Sequence, residues 1–281
     1  MCILEGQEMQ DKISLAGDLG SGKSTVSKIL IDALSATYYS TGAIVREIAE
    51  KRGMSVVELN TYMETHPEID HEIDDGIARL SDDERLLIID SRMAWHFTKG
   101  TFRIYLTTDI ETAATRIMLN NRKGEHCSTL AETIENTRAR RASEKKRYME
   151  QYGVDIQKLS NYDFILDTTF ATPEEVAEQI ILAFRTWQQD KSYRATLLCP
   201  ERLSFPDDAE DEALIAKYAT ALECGESIPE IQVVEEDGNF YVISGMASSL
   251  AYAFSFATFV PCTLVDAPKP DVKYVKISNS L

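Results

Sequence analysis

A three-layer α/β domain with a parallel five-stranded sheet and a lid, followed by a small C-terminal α+β domain, is the architecture this sequence predicts. Three observations carry the prediction. Apolar, β-rich runs alternate with stretches of helical periodicity from residue 12 to about residue 188. Such alternation demands crossover connections, and hence a parallel sheet with helices on both faces. Between the first run and the first helix lies Gly17-Asp18-Leu19-Gly20-Ser21-Gly22-Lys23-Ser24, a G-x-x-x-x-G-K-S string. Its strand–turn–helix setting makes it a phosphate-binding loop, or P-loop, rather than a chance glycine-rich turn. Beyond Asp190 the pattern breaks into polar, proline-bearing sequence and resumes as shorter mixed elements.

Strands are expected at residues 12–16, 36–39, 86–90, 102–107 and 162–168. Their carboxyl ends, where ligands collect on such sheets, carry Gly17, Thr41, Asp90 and Thr168. The last helix of this domain is expected at about residues 173–188, with Thr172 as N-cap and Pro173 at the first turn. Residues 188–200 read as a linker: Gln188-Gln189-Asp190-Lys191-Ser192 is polar, and Pro200, Pro206 and an acidic cluster follow. The tail then predicts a helix at about 210–224 and a hairpin of residues 231–235 and 240–243 turning on Asp237-Gly238. A helix at about 246–256 and strands at 261–265 and 272–277 complete it. Two domains follow, residues 1–190 and 200–281.

Composition narrows the partners. A chain of 281 residues is long for one core and comfortable for two, and 44% hydrophobic with 27% charged residues is ordinary for a soluble globular protein. A formal charge of −17 argues against a nucleic-acid partner. The charge is uneven, however. Residues 116–147 carry Arg116, Arg122, Lys123, Arg138, Arg140, Arg141, Lys145, Lys146 and Arg147 against only Glu125, Glu132, Glu135 and Glu144. That basic island reads either as a solvated helix face or as a device for a small anionic ligand. The cysteines Cys2, Cys127, Cys199, Cys224 and Cys262 form no C-x-x-C pair, which suggests neither zinc nor a disulfide frame and fits a cytoplasmic setting. The uncharged stretch 238–265 is broken by Gly245 and Pro261, so it reads as strand, helix and strand rather than a membrane span.

The motifs specify a chemistry. Gly17, Gly20, Ser21, Gly22, Lys23, Ser24 and Thr25 are expected to line a nucleoside triphosphate: backbone N–H groups turn onto the phosphates and the helix N-terminus adds its partial charge. Lys23 would reach the β- and γ-phosphates, and the Ser24 hydroxyl would ligate Mg²⁺. Leu86-Leu87-Ile88-Ile89-Asp90 is an apolar strand ending in a carboxylate placed to hold Mg²⁺ or its water, with Arg92 pointing into the same cleft. Ser40 and Thr41 end the second strand, and Arg46 follows one turn into the next helix. Such a set can hold a phosphate, or it can be an N-cap and a solvent-facing arginine. Transfer of a phosphoryl group onto another phosphate needs no activated Ser, Cys or His, because the acceptor oxygen is already ionised. A segment delivering arginines over the phosphates and excluding water is what residues 116–147 resemble.

Together the P-loop, Ser40-Thr41-Gly42-Ala43-Ile44-Val45-Arg46, Arg52-Gly53-Met54-Ser55 and Pro67-Glu68-Ile69-Asp70 resemble nucleoside monophosphate kinases. Ile89-Asp90-Ser91-Arg92-Met93-Ala94-Trp95, Ser143-Glu144-Lys145-Lys146-Arg147-Tyr148 and Tyr152-Gly153-Val154-Asp155-Ile156 narrow this to the short, archaeal-type cytidylate kinases, over about residues 10–185. The resemblance implies CMP or dCMP as acceptor and ATP–Mg²⁺ as donor. It implies Arg46 and Arg92 on the acceptor phosphate, and Arg116, Arg140 and Arg147 on the transferring phosphoryl group. Two departures stand out: Asn120-Asn121-Arg122-Lys123 replaces a usual double arginine, and Ser91 stands where glycine is common. In the tail, Gly225-Glu226-Ser227-Ile228-Pro229-Glu230, the hairpin and Gly245 resemble a ParB/sulfiredoxin-type fold. Met246-Ala247-Ser248-Ser249 supplies none of its phosphate-binding cations. The tail is therefore expected to be catalytically silent, serving packing, self-association or recognition of a protein partner. Two other functions remain open: a kinase for another small metabolite, and an inactive nucleotide-binding regulator acting through its tail.

Overall fold

The computed structural model describes residues 11–119, 129–207 and 211–276. Cys2, Arg122, Lys123 and Cys127, and the expected helix start at Glu210, lie outside the described residues. In chain order the elements are β1 (Lys12–Gly17), α1 (Lys23–Leu34), β2 (Thr37–Ser40), α2 (Thr41–Arg52), α3 (Val56–Met63), α4 (Pro67–Arg79), β3 (Leu87–Asp90), α5 (Ala94–Phe97), β4 (Thr101–Thr107), α6 (Ile110–Leu119) and α7 (Leu130–Tyr152). There follow β5 (Phe164–Asp167), α8 (Pro173–Gln189), β6 (Ala195–Leu198), β7 (Leu203–Pro206), α9 (Glu212–Glu223), β8 (Ile231–Glu236), β9 (Asn239–Ser244), α10 (Met246–Phe254), β10 (Val260–Leu264) and β11 (Tyr274–Lys276).

The expected parallel five-stranded sheet is present, in the order β5-β4-β1-β3-β2. One face buries Ile13, Leu15, Ile104, Leu106 and Phe164 against Val26 and Leu30 of α1 and Val176, Ile180 and Phe184 of α8. The helix start predicted at Pro173 is a full capping box: the Thr172 hydroxyl accepts from the Glu175 amide at 3.3 Å, and the Glu175 carboxylate accepts from the Thr172 amide at 2.8 Å. Helices α2, α3 and α4 form a side lobe around Leu59, Met63, Ile73 and Ile77, packed against Leu87 and Ile89 of β3. This lobe and the long α7 flank the carboxyl ends of the strands.

The sheet does not stop at five strands. Residues 188–200, expected as a linker, contain β6, which pairs in parallel with β5 through Phe164↔Ala195 and Ile165↔Thr196. Strand β10 pairs antiparallel with β6, and the described residues form one eleven-stranded sheet, β11-β7-β9-β8-β10-β6-β5-β4-β1-β3-β2. The physical reason lies in β5: as the last strand of five it would present a row of unpaired backbone groups, and β6 takes them up. The core follows the sheet. Ala16, Tyr105 and Ile165 of the first half share one cluster with Leu198, Leu203, Phe205, Val233 and Val260 of the second. The tail hairpin is as expected, with both turn residues Asp237 and Gly238 at positive φ. No described helix is long and apolar enough to cross a membrane.

Candidate active site

The phosphate loop is held by backbone proximity. Gly17 has φ 141° and Gly20 φ 76°, and a Cβ on either would collide with the backbone of Leu106 in β4 or Ala113 in α6. The α1 N-terminus opens on Gly22 with no side-chain cap and no acidic residue in its first turn. Neither a capping side chain nor a carboxylate therefore competes with an anion for this helix start. The Lys23 ammonium curls over the loop, donating to the carbonyls of Gly17 at 3.0 Å and Asp18 at 2.8 Å. Burial and the neighbouring Arg92 guanidinium push its pKa down to about 7.

Asp18, the first variable position of the motif, is a hub. Its carboxylate accepts from Tyr105 Oη at 2.8 Å, Thr107 Oγ1 at 3.1 Å and the Thr108 amide at 3.1 Å. It also pairs with Arg141 at 3.2 Å, which docks α7 onto the loop. Three residues further along α7, Glu144 accepts from Arg92 Nε at 2.8 Å and from Arg140 Nε at 3.0 Å. Burial alone would raise the Glu144 carboxyl, but Arg92 and Arg140 outweigh it and hold it at about 2. Arg92 also donates to the Gly17 carbonyl, so the arginine after β3 touches both lid helix and loop.

Where β2 meets α2, Ser40 caps the helix by accepting from the Ala43 amide at 3.4 Å, the plainer of its two readings. Thr41 donates to the Asp90 carbonyl at 3.3 Å. The Asp90 carboxylate accepts from Tyr38 Oη at 2.8 Å, and burial followed by Asp90 raises that phenol to about 12. Gly20, Ser21, Gly22, Lys23, Ser24, Thr41, Arg46, Asp90, Arg92, Arg140 and Arg147 all border one cleft.

Two expected arginines stand differently from their expected places. Arg147 is buried, donating to Asn60 O at 2.8 Å and Oδ1 at 3.1 Å, with Nε 3.1 Å from Asp70. It is thus tied to the α3–α4 end of the cleft. Arg116 does not join the other arginines. It lies across the phosphate loop in a separate hollow with Gly20, Thr25 and Pro173, donating to the Thr168 carbonyl at 2.7 Å. The reason is local: Arg116 sits on α6, whose Ala113 backbone lies against Gly20 of the phosphate loop, whereas Arg140 and Arg147 sit on α7. Sequence reading missed Asp18, Asn60, Asp70 and Arg141 as site-building residues. The signal for Glu144 was present, since its spacing from Arg140 and Arg147 puts all three on one helix face.

Asp74, one turn beyond Asp70 on α4, is buried with Oδ2 lacking a hydrogen-bond partner among the described residues. Burial pushes its carboxyl up to about 7. Because the folded value exceeds the unfolded one, near 3.9, the penalty is absent below about pH 4 and complete above about pH 7. Asp74→Asn, which mimics the protonated form, is expected to stabilise the fold by about 2 kcal/mol at pH 8 and little at pH 4. Denaturant melts at the two pH values check this. An equal difference at both would show that the carboxylate carries no such penalty.

An anion-ready helix start, a lysine over the loop and converging arginines define a phosphoryl-transfer enzyme of the P-loop class. Among these, the chain belongs to the cytidylate kinase-like family, whose model matches residues 12–170. It is 35% identical over 191 residues to a cytidylate kinase of Thermoplasma volcanium, covering 66% of this chain and 98% of that protein. It is 37% identical over 170 residues to a cytidylate kinase of Sulfurisphaera tokodaii, covering 60% and 92% respectively. A further relative, an S-adenosylmethionine-dependent nucleotide dehydratase of Lacinutrix mariniflava, is 37% identical over 174 residues, but the match spans only 36% of that protein. The family match ends just before α8, so β6 to β11 lie beyond it.

Proposed function

We propose that this protein transfers the γ-phosphoryl group of ATP to CMP or dCMP. The observation that carries the reading is the convergence of Lys23, Arg46, Arg92 and Arg140 on one cleft between the phosphate loop and the α2–α4 lobe. Its use is electrostatic: a P–O bond to the ADP leaving oxygen breaks, one to an already ionised monophosphate oxygen forms, and no side chain need remove a proton. Lys23 and the α1 N-terminus hold the donor phosphates, while Arg46 and Arg92 hold the acceptor. Arg140, tethered by Glu144, is placed to neutralise charge on the group in flight.

Mg²⁺ would neutralise the β- and γ-phosphates. Ser24 and Asp90 fit it, being a hydroxyl and a carboxylate on the same cleft, and Tyr38 occupies only one of the Asp90 oxygens. Among the described residues no set of three acidic, His or Cys side chains could cage a metal by itself.

Screening nucleoside monophosphates for ADP production from ATP tests the reading; turnover confined to a non-nucleotide acceptor would overturn it. Within it, Arg92→Ala is expected to raise KM for the monophosphate about tenfold or more, with KM for ATP changed less than about threefold. The reverse split would put Arg92 on the donor. We also read the tail as a ParB/sulfiredoxin-type module without a phosphate site of its own. Ser248 and Ser249 at the start of α10 are fully buried, which supports a helix end used for packing rather than for phosphate.

A further inference from the structure

The strand β6 ends beside the carboxyl end of β5, and the chain there makes a short turn, Pro200–Arg202, before β7. That turn sends a charged side chain into the protein: Arg202 is only 6% exposed. Its Nη1 donates to Thr169 Oγ1 at 3.1 Å, and its Nη2 to the Gly238 carbonyl of the tail hairpin at 2.6 Å. Asp167, fully buried at the end of β5, lies 3.9 Å away, and the guanidinium sits over the Phe240 ring.

Thr169 belongs to the loop between β5 and α8, and that loop grips the phosphate site. The Thr169 hydroxyl donates to Asp167 Oδ1 at 2.6 Å and accepts from the Asp109 amide at 3.1 Å, so with Arg202 its hydrogen bonding is complete. The preceding residue, Thr168, donates from its hydroxyl to the Ser21 carbonyl of the phosphate loop at 3.1 Å. Both loop carbonyls, Thr168 and Thr169, accept from Arg116 at 2.7 and 3.2 Å. One buried guanidinium from beyond the family match therefore fixes the loop on which Arg116 and the P-loop backbone rest.

We propose that Arg202 is a positioning residue for the donor side of the phosphoryl-transfer site, so that the tail is part of the catalytic machinery. This differs from the silent appendage expected from sequence, and it rests on the reading of the cleft as an ATP-dependent kinase site. A burial-only role predicts lost stability without any particular change at the donor site. A positioning role predicts a localised one.

The test compares full-length Arg202→Met and Arg202→Lys with the unaltered chain. The lysine keeps a positive charge near Asp167 but cannot fork to Thr169 and Gly238 together, and it carries the test should the methionine variant fail to fold. Three measurements are made: ATP affinity by calorimetry, KM for ATP and for the monophosphate, and amide hydrogen exchange. Arg202→Met is expected to bind ATP about tenfold more weakly and raise KM for ATP to match, with KM for the monophosphate within twofold. Exchange should quicken at residues 168–171 and 20–22 while β1 and β4 stay protected, and Arg202→Lys should fall between. Unchanged ATP affinity and unchanged exchange at those amides, or exchange that quickens uniformly, would overturn the proposal. If the unaltered chain turned over no monophosphate, the kinase reading alone would fall, and the exchange pattern would still decide the role of Arg202.

Discussion

Lys23→Ala is expected to lower the rate of phosphoryl transfer about 10³-fold while the protein stays folded. The ammonium is the one side-chain cation of the phosphate loop itself, and in the proposed reaction it would stabilise charge that grows on the phosphates during transfer. Its loss forfeits two hydrogen bonds to loop carbonyls, at 3.0 and 2.8 Å, but also relieves a desolvated charge, so the stability change should stay within about 1 kcal/mol. The pKa of about 7 adds a second signature. Free enzyme above that pH increasingly holds a neutral amine, and ATP must restore the proton on binding. The kcat/KM for ATP should accordingly fall as pH rises through about 7, and the residual activity of Lys23→Ala should lack that step. Wild-type turnover in a folded Lys23→Ala protein would remove the phosphate loop from the mechanism.

How far the site was legible in the sequence depended on whether local chemistry or tertiary contact decides the residue. The loop from Gly17 to Ser24 was legible because glycines, lysine and hydroxyl are needed in one contiguous turn. Strands β1, β3 and β4 were legible because each is an apolar run closed by a turn. Strand β6 was not: four residues between Asp190 and Pro200 look like linker, and only pairing with β5 makes them a strand. Strand β7, Leu203–Pro206, was hidden the same way between two prolines. The arginines divide likewise. The spacing of Arg140, Glu144 and Arg147 is that of one helix face, a signal present but unread, and nothing in the spacing of Arg116 says that α6 carries it to the other side of the loop. Asp18 looked like a filler position of the motif, yet tertiary contact gives it Tyr105, Thr107 and Arg141.

Glu144→Gln should be among the most destabilising conservative changes available, and bound polyphosphate should reverse it. Glu144 is buried between two guanidinium groups, Arg92 at 2.8 Å and Arg140 at 3.0 Å. Neutralising it removes the counter-charge shared by two largely buried guanidinium groups, at a cost of about 3–5 kcal/mol, or a fall of roughly 10 °C in Tm for a chain of this size. The sign of the pH dependence follows from the depressed carboxyl. With a folded value of about 2, below the unfolded one near 4.3, its stabilisation is complete above the unfolded value and fades as pH drops toward 2. The gap between wild type and Glu144→Gln should therefore narrow between pH 7 and pH 3. In the proposed reaction phosphate oxygens would approach the same two arginines, so a bound polyphosphate would bring them negative charge beside that of Glu144. Inorganic tripolyphosphate should thus raise Tm more for Glu144→Gln than for wild type at pH 7, since in the variant the anion replaces the missing charge. Melting curves at both pH values, with and without tripolyphosphate, check all of this. A variant that melts within about 2 °C of wild type, with an equal shift on adding the anion, would show that Glu144 is not the counter-charge holding these two arginines over the cleft.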